Sequence, residues 1–109
     1  MTVLFTEQLQ QILANNYDDP DFDYSRLCEE LGLSRSQVYR QFQEENLGSP
    51  SNYLRIFRLE KAKELLINTD LLIFEIALDV GFKSASHFST NFFNFYDISP
   101  RMYRKEIEK

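Results

Sequence analysis

The sequence has little of several residue types, and each scarcity excludes a class of protein. The only cysteine is Cys28, so neither a disulfide within the chain nor a cysteine-cluster zinc site can form. Three glycines and three prolines are too few turn formers for a many-stranded sandwich or barrel. The clearest apolar run, residues 71–74, is far below the ~20 residues that span a bilayer, and residues 1–5 lack the basic region followed by a long apolar stretch that is typical of a secretory signal. We therefore expect an all-α, cytoplasmic protein without a metal site or a membrane segment.

The sequence also lacks the residue sets that support catalysis. It has no glycine-rich phosphate loop, no paired metal ligands, and no serine or cysteine placed with a histidine partner. Its 109 residues suit one compact domain, or two very small ones that share a helix. We expect a protein that is not an enzyme and that needs no cofactor and no small-molecule ligand.

The net charge of −5 argues against nonspecific affinity for a polyanion, but the charge is unevenly distributed. Residues 1–33 hold seven acidic side chains against a single base, Arg26, whereas the remaining residues hold ten acids and eleven bases. The acidity therefore belongs to the front third of the chain. That part is predicted to be a solvated surface or to contact another protein.

Seven helices are predicted from capping residues that precede apolar residues at helical spacing. Glycines or a proline mark most of the boundaries between them. The fourth helix is about 27 Å long, which makes it a spacer. The predicted helices begin at a Thr6 cap and run to about Asn16, from Asp23 or Tyr24 to Leu31, from about Arg35 to Glu45, from Pro50 after a Ser49 or Ser51 cap to about Asn68, from about Ile73 to Val80, from Ser84 to Tyr96, and from Pro100 after a Ser99 cap.

The chain repeats a short pattern. Residues 27–33 (LCEELGL) match residues 76–82 (IALDVGF) at an offset of 49, and the serine and two apolar residues that follow match at an offset of 50. Each copy is a helix, a glycine turn and a serine-capped second helix, which is the pattern of a helix-turn-helix. One copy is also a common packing unit. Two copies joined by a rigid helix favour DNA binding, because two recognition helices on one face of B-DNA must lie about 34 Å apart.

Five blocks of sequence resemble the DNA-binding domain of the AraC/XylS family of bacterial transcription regulators, across roughly residues 5–105. In order, they are residues 31–34 (LGLS) with Val38 and Phe42, residues 53–66 (YLRIFRLEKAKELL), residues 76–82, Phe88 with Phe92, and residues 99–104 (SPRMYR).

The resemblance implies a seven-helix fold with two helix-turn-helix subdomains, residues 5–48 and 70–105, joined by a linker helix, residues 49–69. It also implies sequence-specific binding of double-stranded DNA and regulation of transcription, with the third and sixth helices in successive major-groove segments. The expected protein partners are RNA polymerase or a fused N-terminal sensor or receiver domain. We expect the chain to be the C-terminal output part of a larger protein rather than a stand-alone regulator.

The resemblance also implies which residues contact DNA. Helical geometry agrees independently, since residues 36 and 40 lie opposite buried 38 and 42, and residues 86 and 90 lie opposite 88 and 92. Among the base-facing positions, only Arg40 has a planar guanidinium group that can make a bidentate contact to guanine. The base-facing positions are Ser36, Tyr39, Arg40, Ala85, Ser86, Ser89 and Thr90; the phosphate-contacting positions are Arg35, Arg55, Lys83 and the capped helix starts at Ser34 and Ser84.

The sequence departs from the family pattern in its second copy. Phe93 and Asn94 stand where paired basic residues are frequent, and Asp97 stands where a glycine is usual. Because residues 84–96 carry no formal charge, we expect the first subdomain to supply most of the affinity. Phe93 is predicted to face outward, as an edge of the core, a wedge against the sugar-phosphate backbone or a protein contact, in that order.

Several residues keep a second interpretation. His87 is expected to be solvated or to cap a helix, with a phosphate contact as the alternative. Arg58 is expected either to contact DNA or to form a structural ion pair with Asp79 or near Glu60. The aromatic residues Phe42, Phe57, Phe82, Phe88, Phe92, Phe95 and Tyr103, together with Cys28, are expected in the core. The competing function is a helical protein-interaction module with the same fold and little DNA affinity.

Overall fold

The structure, a computed structural model, describes residues 4–107. Within that range the chain forms seven α-helices and no strand, which confirms the all-α prediction. The helices are α1 (Phe5–Asn16), α2 (Tyr24–Leu31), α3 (Arg35–Glu44), α4 (Pro50–Asn68), α5 (Ile73–Asp79), α6 (Ala85–Tyr96) and α7 (Pro100–Ile107).

The first of two compact units contains the chain up to Tyr17 and Asp21–Phe57. Its centre is Phe42 of α3, which is fully buried and receives the edges of two other rings. Phe5 and Tyr53 each lie 5.7 Å from Phe42 between ring centroids, at near-perpendicular angles. The buried core around it consists of Leu9, Leu13, Phe22, Leu27, Cys28, Val38, Phe42 and Leu54.

The second unit contains Asp18–Pro20 and the chain from Arg58 onward. A row of rings fills it: Phe88 lies 5.3 Å from Phe82 and 5.7 Å from Phe92. Phe92 also packs 4.7 Å from Tyr96 and 5.8 Å from Tyr103. Large rings fill the small volume of such a unit with few residues, so much of its stability depends on them.

Helix starts are fixed by local hydrogen bonds, most of them where the sequence predicts. The Ser34, Ser49, Ser84 and Ser99 hydroxyls and the Asp23 carboxylate each accept a hydrogen bond from the backbone N–H three residues later. Thr6 is the exception: α1 begins at Phe5, and Leu4 occupies the N-cap without a side-chain bond. Packing of Phe5 against Phe42 accounts for the difference, because it places residue 5 within the helix.

The two helix-turn-helix turns are closed in the same way. Leu33 N–H donates to the Cys28 carbonyl at 3.1 Å, and Phe82 N–H donates to the Ala77 carbonyl at 2.9 Å. Gly32 in the first turn has a φ of 69°, in the left-handed region where a side chain is strained. The repeat in the sequence is thus a repeat in backbone structure.

One of the expected core positions is corrected, and Arg58 has a partner that the sequence did not indicate. Phe95 is 40% exposed, and its ring lies against neighbouring Tyr96 at 4.8 Å, so it lies outside the core. Phe57 and Tyr103 are half-buried, whereas the other expected core residues are buried. The Arg58 guanidinium donates to the Asp19 carbonyl oxygen at 2.9 Å. Burial lowers the pKa of Arg58, and the Asp19 carboxylate opposes that shift.

Candidate nucleic-acid interface

The start of α3 is held by a reciprocal pair of hydrogen bonds. Gln37 N–H donates to the Ser34 hydroxyl at 3.2 Å, and Ser34 N–H donates to the Gln37 side-chain oxygen at 2.8 Å. The N–H groups of Arg35 and Ser36 have no intrahelical acceptor and point out of the helix start, where the dipole favours an anion. The start of α3 therefore presents N–H donors that suit an anion such as phosphate. The role of Gln37 was not foreseen, although a glutamine three residues after a capping serine is its sequence signal.

Helix α2 fixes the position of Arg35, the first residue of α3. The Arg35 guanidinium donates to the Ser25 hydroxyl at 2.5 Å and lies 5.1 Å from the centroid of the Tyr24 ring. Tyr24 O–H donates in turn to the Arg35 carbonyl at 2.6 Å. Desolvation by burial raises the pKa of the Tyr24 phenol. The two helices of the first helix-turn-helix are thereby joined at their polar edge.

The outward face of α3 carries the first group of candidate base-facing residues. Ser36, Tyr39 and Arg40 are all exposed, whereas Val38 and Phe42 are fully buried on the opposite side. These three side chains line one open concavity with a volume of about 710 Å³, together with Tyr24, Arg35, Gln43 and Glu44. The structure thus brings the predicted base-facing residues of the first copy together on one surface.

Gln43 is a member of this surface that the sequence analysis missed. Its side-chain amide donates to the Tyr39 hydroxyl oxygen at 2.9 Å. Because the phenol oxygen accepts this bond, its own O–H remains available to donate to another group. The signal in the sequence is the spacing of four residues from Tyr39, which places both side chains on one helical face.

The start of α6 repeats the cap of α3, but its outward face differs in chemistry. Ser84 accepts a hydrogen bond from His87 N–H at 3.1 Å. Ser86 and Thr90 are exposed, whereas Ala85 and Ser89 are half-buried. Helix α6 contains no Asp, Glu, Lys or Arg. The predicted base-facing residues of the second copy therefore offer hydroxyl and methyl groups only.

Lys83, His87 and Phe93 flank the predicted base-facing residues of α6, and all three are exposed. The His87 ring lies 5.7 Å from the Phe82 ring, at an interplanar angle of 76°, and the residue is exposed. Lys83 is exposed just before the cap. Phe93 is 53% exposed, as its outward prediction requires.

Arg55, the remaining phosphate candidate, lies on α4 in the first unit and is half-buried. Its guanidinium donates to the Asn52 side-chain oxygen from Nε at 3.1 Å and also from Nη2. This pairing along one helical face limits the rotamers of Arg55 and directs the planar group. Its charge is therefore held in place on the helix rather than on a freely moving side chain.

The described part of the chain has neither a metal-binding cluster nor a membrane-spanning helix. No group of three or more His, Cys, Asp or Glu side chains in residues 4–107 is placed to hold a metal ion. Over the same residues, every helix is too short or too polar to cross a membrane.

Comparisons with known proteins agree in pointing to one family. Residues 27–106 match the family model described as a helix-turn-helix domain. The C-terminal domain of the two-component response regulator yesN from Fusobacterium nucleatum is similar in structure, with a TM-score of 0.83 at 38% identity over 91% of this chain and 96% of that one. A transcriptional regulator from Chromobacterium violaceum described as AraC-type has a TM-score of 0.86 at 30% identity, covering 94% and 91% of the two chains.

A third solved structure contains DNA. The DNA-binding domain of AdpA, a global transcriptional factor in complex with a target DNA, has a TM-score of 0.81 at 25% identity and covers 91% of each chain. The chain spans about a third of the length of the curated transcription regulators it matches.

Proposed function

The chain belongs to the AraC/XylS family of helix-turn-helix DNA-binding domains, and we propose that it binds double-stranded DNA sequence-specifically through α3 and α6 to regulate transcription. Each helix is the second of a helix-turn-helix, begins at a serine cap and has a polar outward face. The two helices enter successive segments of the major groove, as expected for a duplicated reader of one duplex.

Arg40 is the principal base reader of the first helix. An exposed guanidinium on the outward face of a recognition helix can donate to both O6 and N7 of guanine. Tyr39 and Ser36 lie on the same surface and supply single hydrogen bonds to neighbouring bases. In the second helix Ala85, Ser86, Ser89 and Thr90 take the corresponding positions. They offer no charge, so the first reader supplies most of the affinity.

Phosphate contacts set the register of the protein on the duplex. Arg35, Arg55 and Lys83 supply the cations, and the helix starts at Ser34 and Ser84 supply backbone N–H donors. The bonds from Arg35 to Ser25 and from Arg55 to Asn52 support this role, because they fix both guanidinium groups before DNA arrives. Such contacts raise affinity for every sequence equally.

The observation that carries the proposal is the common outward face of Tyr39 and Arg40, opposite two fully buried residues. Its test is binding to duplexes enriched from a random pool, measured by fluorescence anisotropy. Arg40→Ala is expected to cost about 1–3 kcal/mol on the preferred site and to relax preference at one base pair. The control is Lys105→Ala, which removes an exposed cation near the end of α7 and is expected to change nothing. An equal loss on all duplexes for Arg40→Ala would contradict its assignment as a base reader.

Arg55→Ala tests the phosphate assignment. It is expected to weaken binding to preferred and unrelated duplexes by the same factor, and to lower the slope of log affinity against log salt by about one. A loss confined to the preferred sequence would contradict the phosphate role.

The net charge of −5 favours a second candidate function, a protein-interaction module that has kept the fold and lost DNA affinity. Salt dependence separates the two. A DNA-binding domain binds its preferred duplex at low salt and loses affinity steeply as salt rises. The reason is that its Lys and Arg side chains release counterions from the DNA phosphates on binding, and this release becomes less favourable at high salt. The alternative predicts no binding to any duplex even at low salt.

The protein partners follow from the same assignment. The similarity to the C-terminal domain of a response regulator supports an N-terminal sensor or receiver domain in the same protein as this chain. The names of the relatives as transcription regulators support RNA polymerase as a further partner at the promoter. Pull-down of RNA polymerase by a promoter fragment carrying the bound protein tests the second of these.

A further inference from the structure

The outward N-terminal part of the second recognition helix, α6, has no side chain that can make a bidentate contact to a purine. Ser86, His87 and Thr90 are exposed there, and Ala85 and Ser89 are half-buried beside them. Ser86 and Thr90 lie one helical turn apart on this face, whereas the His87 ring packs 5.7 Å from the Phe82 ring. Arginine, lysine and glutamine do not occur in α6. This face therefore has no bidentate contact with which to select guanine, as Arg40 does, and none with which to select adenine.

The two amides of α6 do not alter this conclusion. Asn91 lies on another side of the helix, where its side chain donates to the His87 carbonyl at 2.8 Å. Asn94 follows Thr90 by one turn, in the last part of α6. Residues near the start of a recognition helix make most of the base contacts in a helix-turn-helix.

Methyl groups are what remains on this face to distinguish bases. Ala85 carries one methyl group, and the exposed Thr90 carries another beside its hydroxyl. In the major groove, the 5-methyl group of thymine is the one apolar feature that the bases present, and alanine and threonine methyl groups pack against it. A hydroxyl can donate or accept, so Ser86 and Ser89 are tolerant of the neighbouring bases.

We infer that α6 reads thymine methyl groups in the second DNA segment, with Thr90 as the principal specificity-determining residue. This inference rests on the proposed function, since it requires α6 to lie in a major groove. It assigns different chemistry to the two readers: a charged reader of guanine in α3 and an apolar reader of thymine in α6. The second reader adds selectivity without adding charge.

The test removes one methyl group from each side of the contact. In the DNA, deoxyuridine replaces each thymine of the second segment in turn, which deletes only the 5-methyl group. In the protein, Thr90→Ser deletes only the γ-methyl group and keeps the hydroxyl. The first segment is the enriched block that contains the base pair at which Arg40→Ala relaxes preference, and the second segment is the other block.

Each single change is expected to weaken binding about fourfold, as estimated from the transfer free energy of one buried methyl group. The two changes together are expected to weaken binding no further than either alone, since both remove the same contact. The penalty for deoxyuridine is also expected to be the same at low and moderate salt, because no phosphate contact is lost. Deoxyuridine in the first segment and Thr69→Ser, a change at the residue just after α4, are the matched controls.

The outcomes separate the inference from the function on which it rests. Specific binding that deoxyuridine in the second segment leaves unchanged would overturn the thymine assignment and leave the proposed function intact. Losses from Thr90→Ser and deoxyuridine that simply add would overturn the pairing of these two methyl groups. Absence of specific binding to any duplex would overturn the proposed function, and the inference with it.

Discussion

Arg104 holds together the end of α4 and the segment that follows it in the second unit. Its guanidinium donates to the Leu66 carbonyl at 3.1 Å, to the Thr69 carbonyl at 3.1 Å and to the Leu71 carbonyl at 2.6 Å. Leu66 lies in the last turn of α4, where carbonyls have no intrahelical partner and the helix dipole favours a cation. Replacing Arg104 by methionine keeps much of the apolar stem and removes all three bonds.

The expected loss follows from those three bonds. We take a net contribution of about 1 kcal/mol for each bond. This value is below the range for bonds from charged donors, because Arg104 is half-buried and water can reach the three carbonyls once its side chain is replaced. The free energy of unfolding should therefore fall by about 3 kcal/mol. The midpoint of urea denaturation should fall by about 1–3 M at unchanged slope. Arg104→Lys should retain part of the stability, because an ammonium group cannot reach three carbonyls as the planar fork does.

The assay is urea denaturation followed by far-ultraviolet circular dichroism, which suits an all-helical chain without tryptophan. Arg101→Met is the matched control, since Arg101 is exposed on the same helix. A loss for Arg104→Met no larger than that of the control, within about 0.5 kcal/mol, would refute the structural role.

Three further changes test other features. Asp97 ends α6 with a φ of 61°, so Asp97→Gly should raise the unfolding free energy by about 1 kcal/mol in the same assay; no gain would refute the strain. The Tyr96 hydroxyl is buried without a hydrogen-bond partner, and desolvation raises the pKa of this phenol from 10.0 to about 12. A raised folded-state pKa means that stability is lost as pH rises from about 10 to 12, so Tyr96→Phe should flatten that decline, and an unchanged pH profile would contradict it. Gln43→Leu removes the bond to Tyr39 and should weaken DNA binding about fivefold without changing urea stability; unchanged binding would exclude an orienting role.

The features that sequence predicts well depend on neighbours along the chain. The Ser34 and Ser84 caps, the left-handed Gly32 and the outward exposure of Arg40 all follow from spacing within one or two helical turns. Each involves interactions whose partners are at most five residues away. Spacing along the chain is therefore enough to predict them.

Gln37 and Gln43 were missed although their partners are three and four residues away, but the other features that sequence reasoning missed involve distant partners. Arg58 bonds a carbonyl 39 residues earlier, and Phe5 enters α1 because it packs on Phe42. Arg35 is positioned by Tyr24 and Ser25, contacts that exist only once α2 and α3 have packed. Spacing along the chain cannot identify such pairs, because many side chains of suitable chemistry lie at comparable distances in sequence.

The central claim is that two recognition helices of one chain read two successive segments of a duplex. Selection of preferred duplexes from a random pool, followed by sequencing, tests it most directly. Two enriched blocks are expected, with their centres about 10 base pairs, or one helical turn, apart. The block with a guanine should depend on Arg40. A single enriched block, or a pool that shows no enrichment at low salt, would contradict the account.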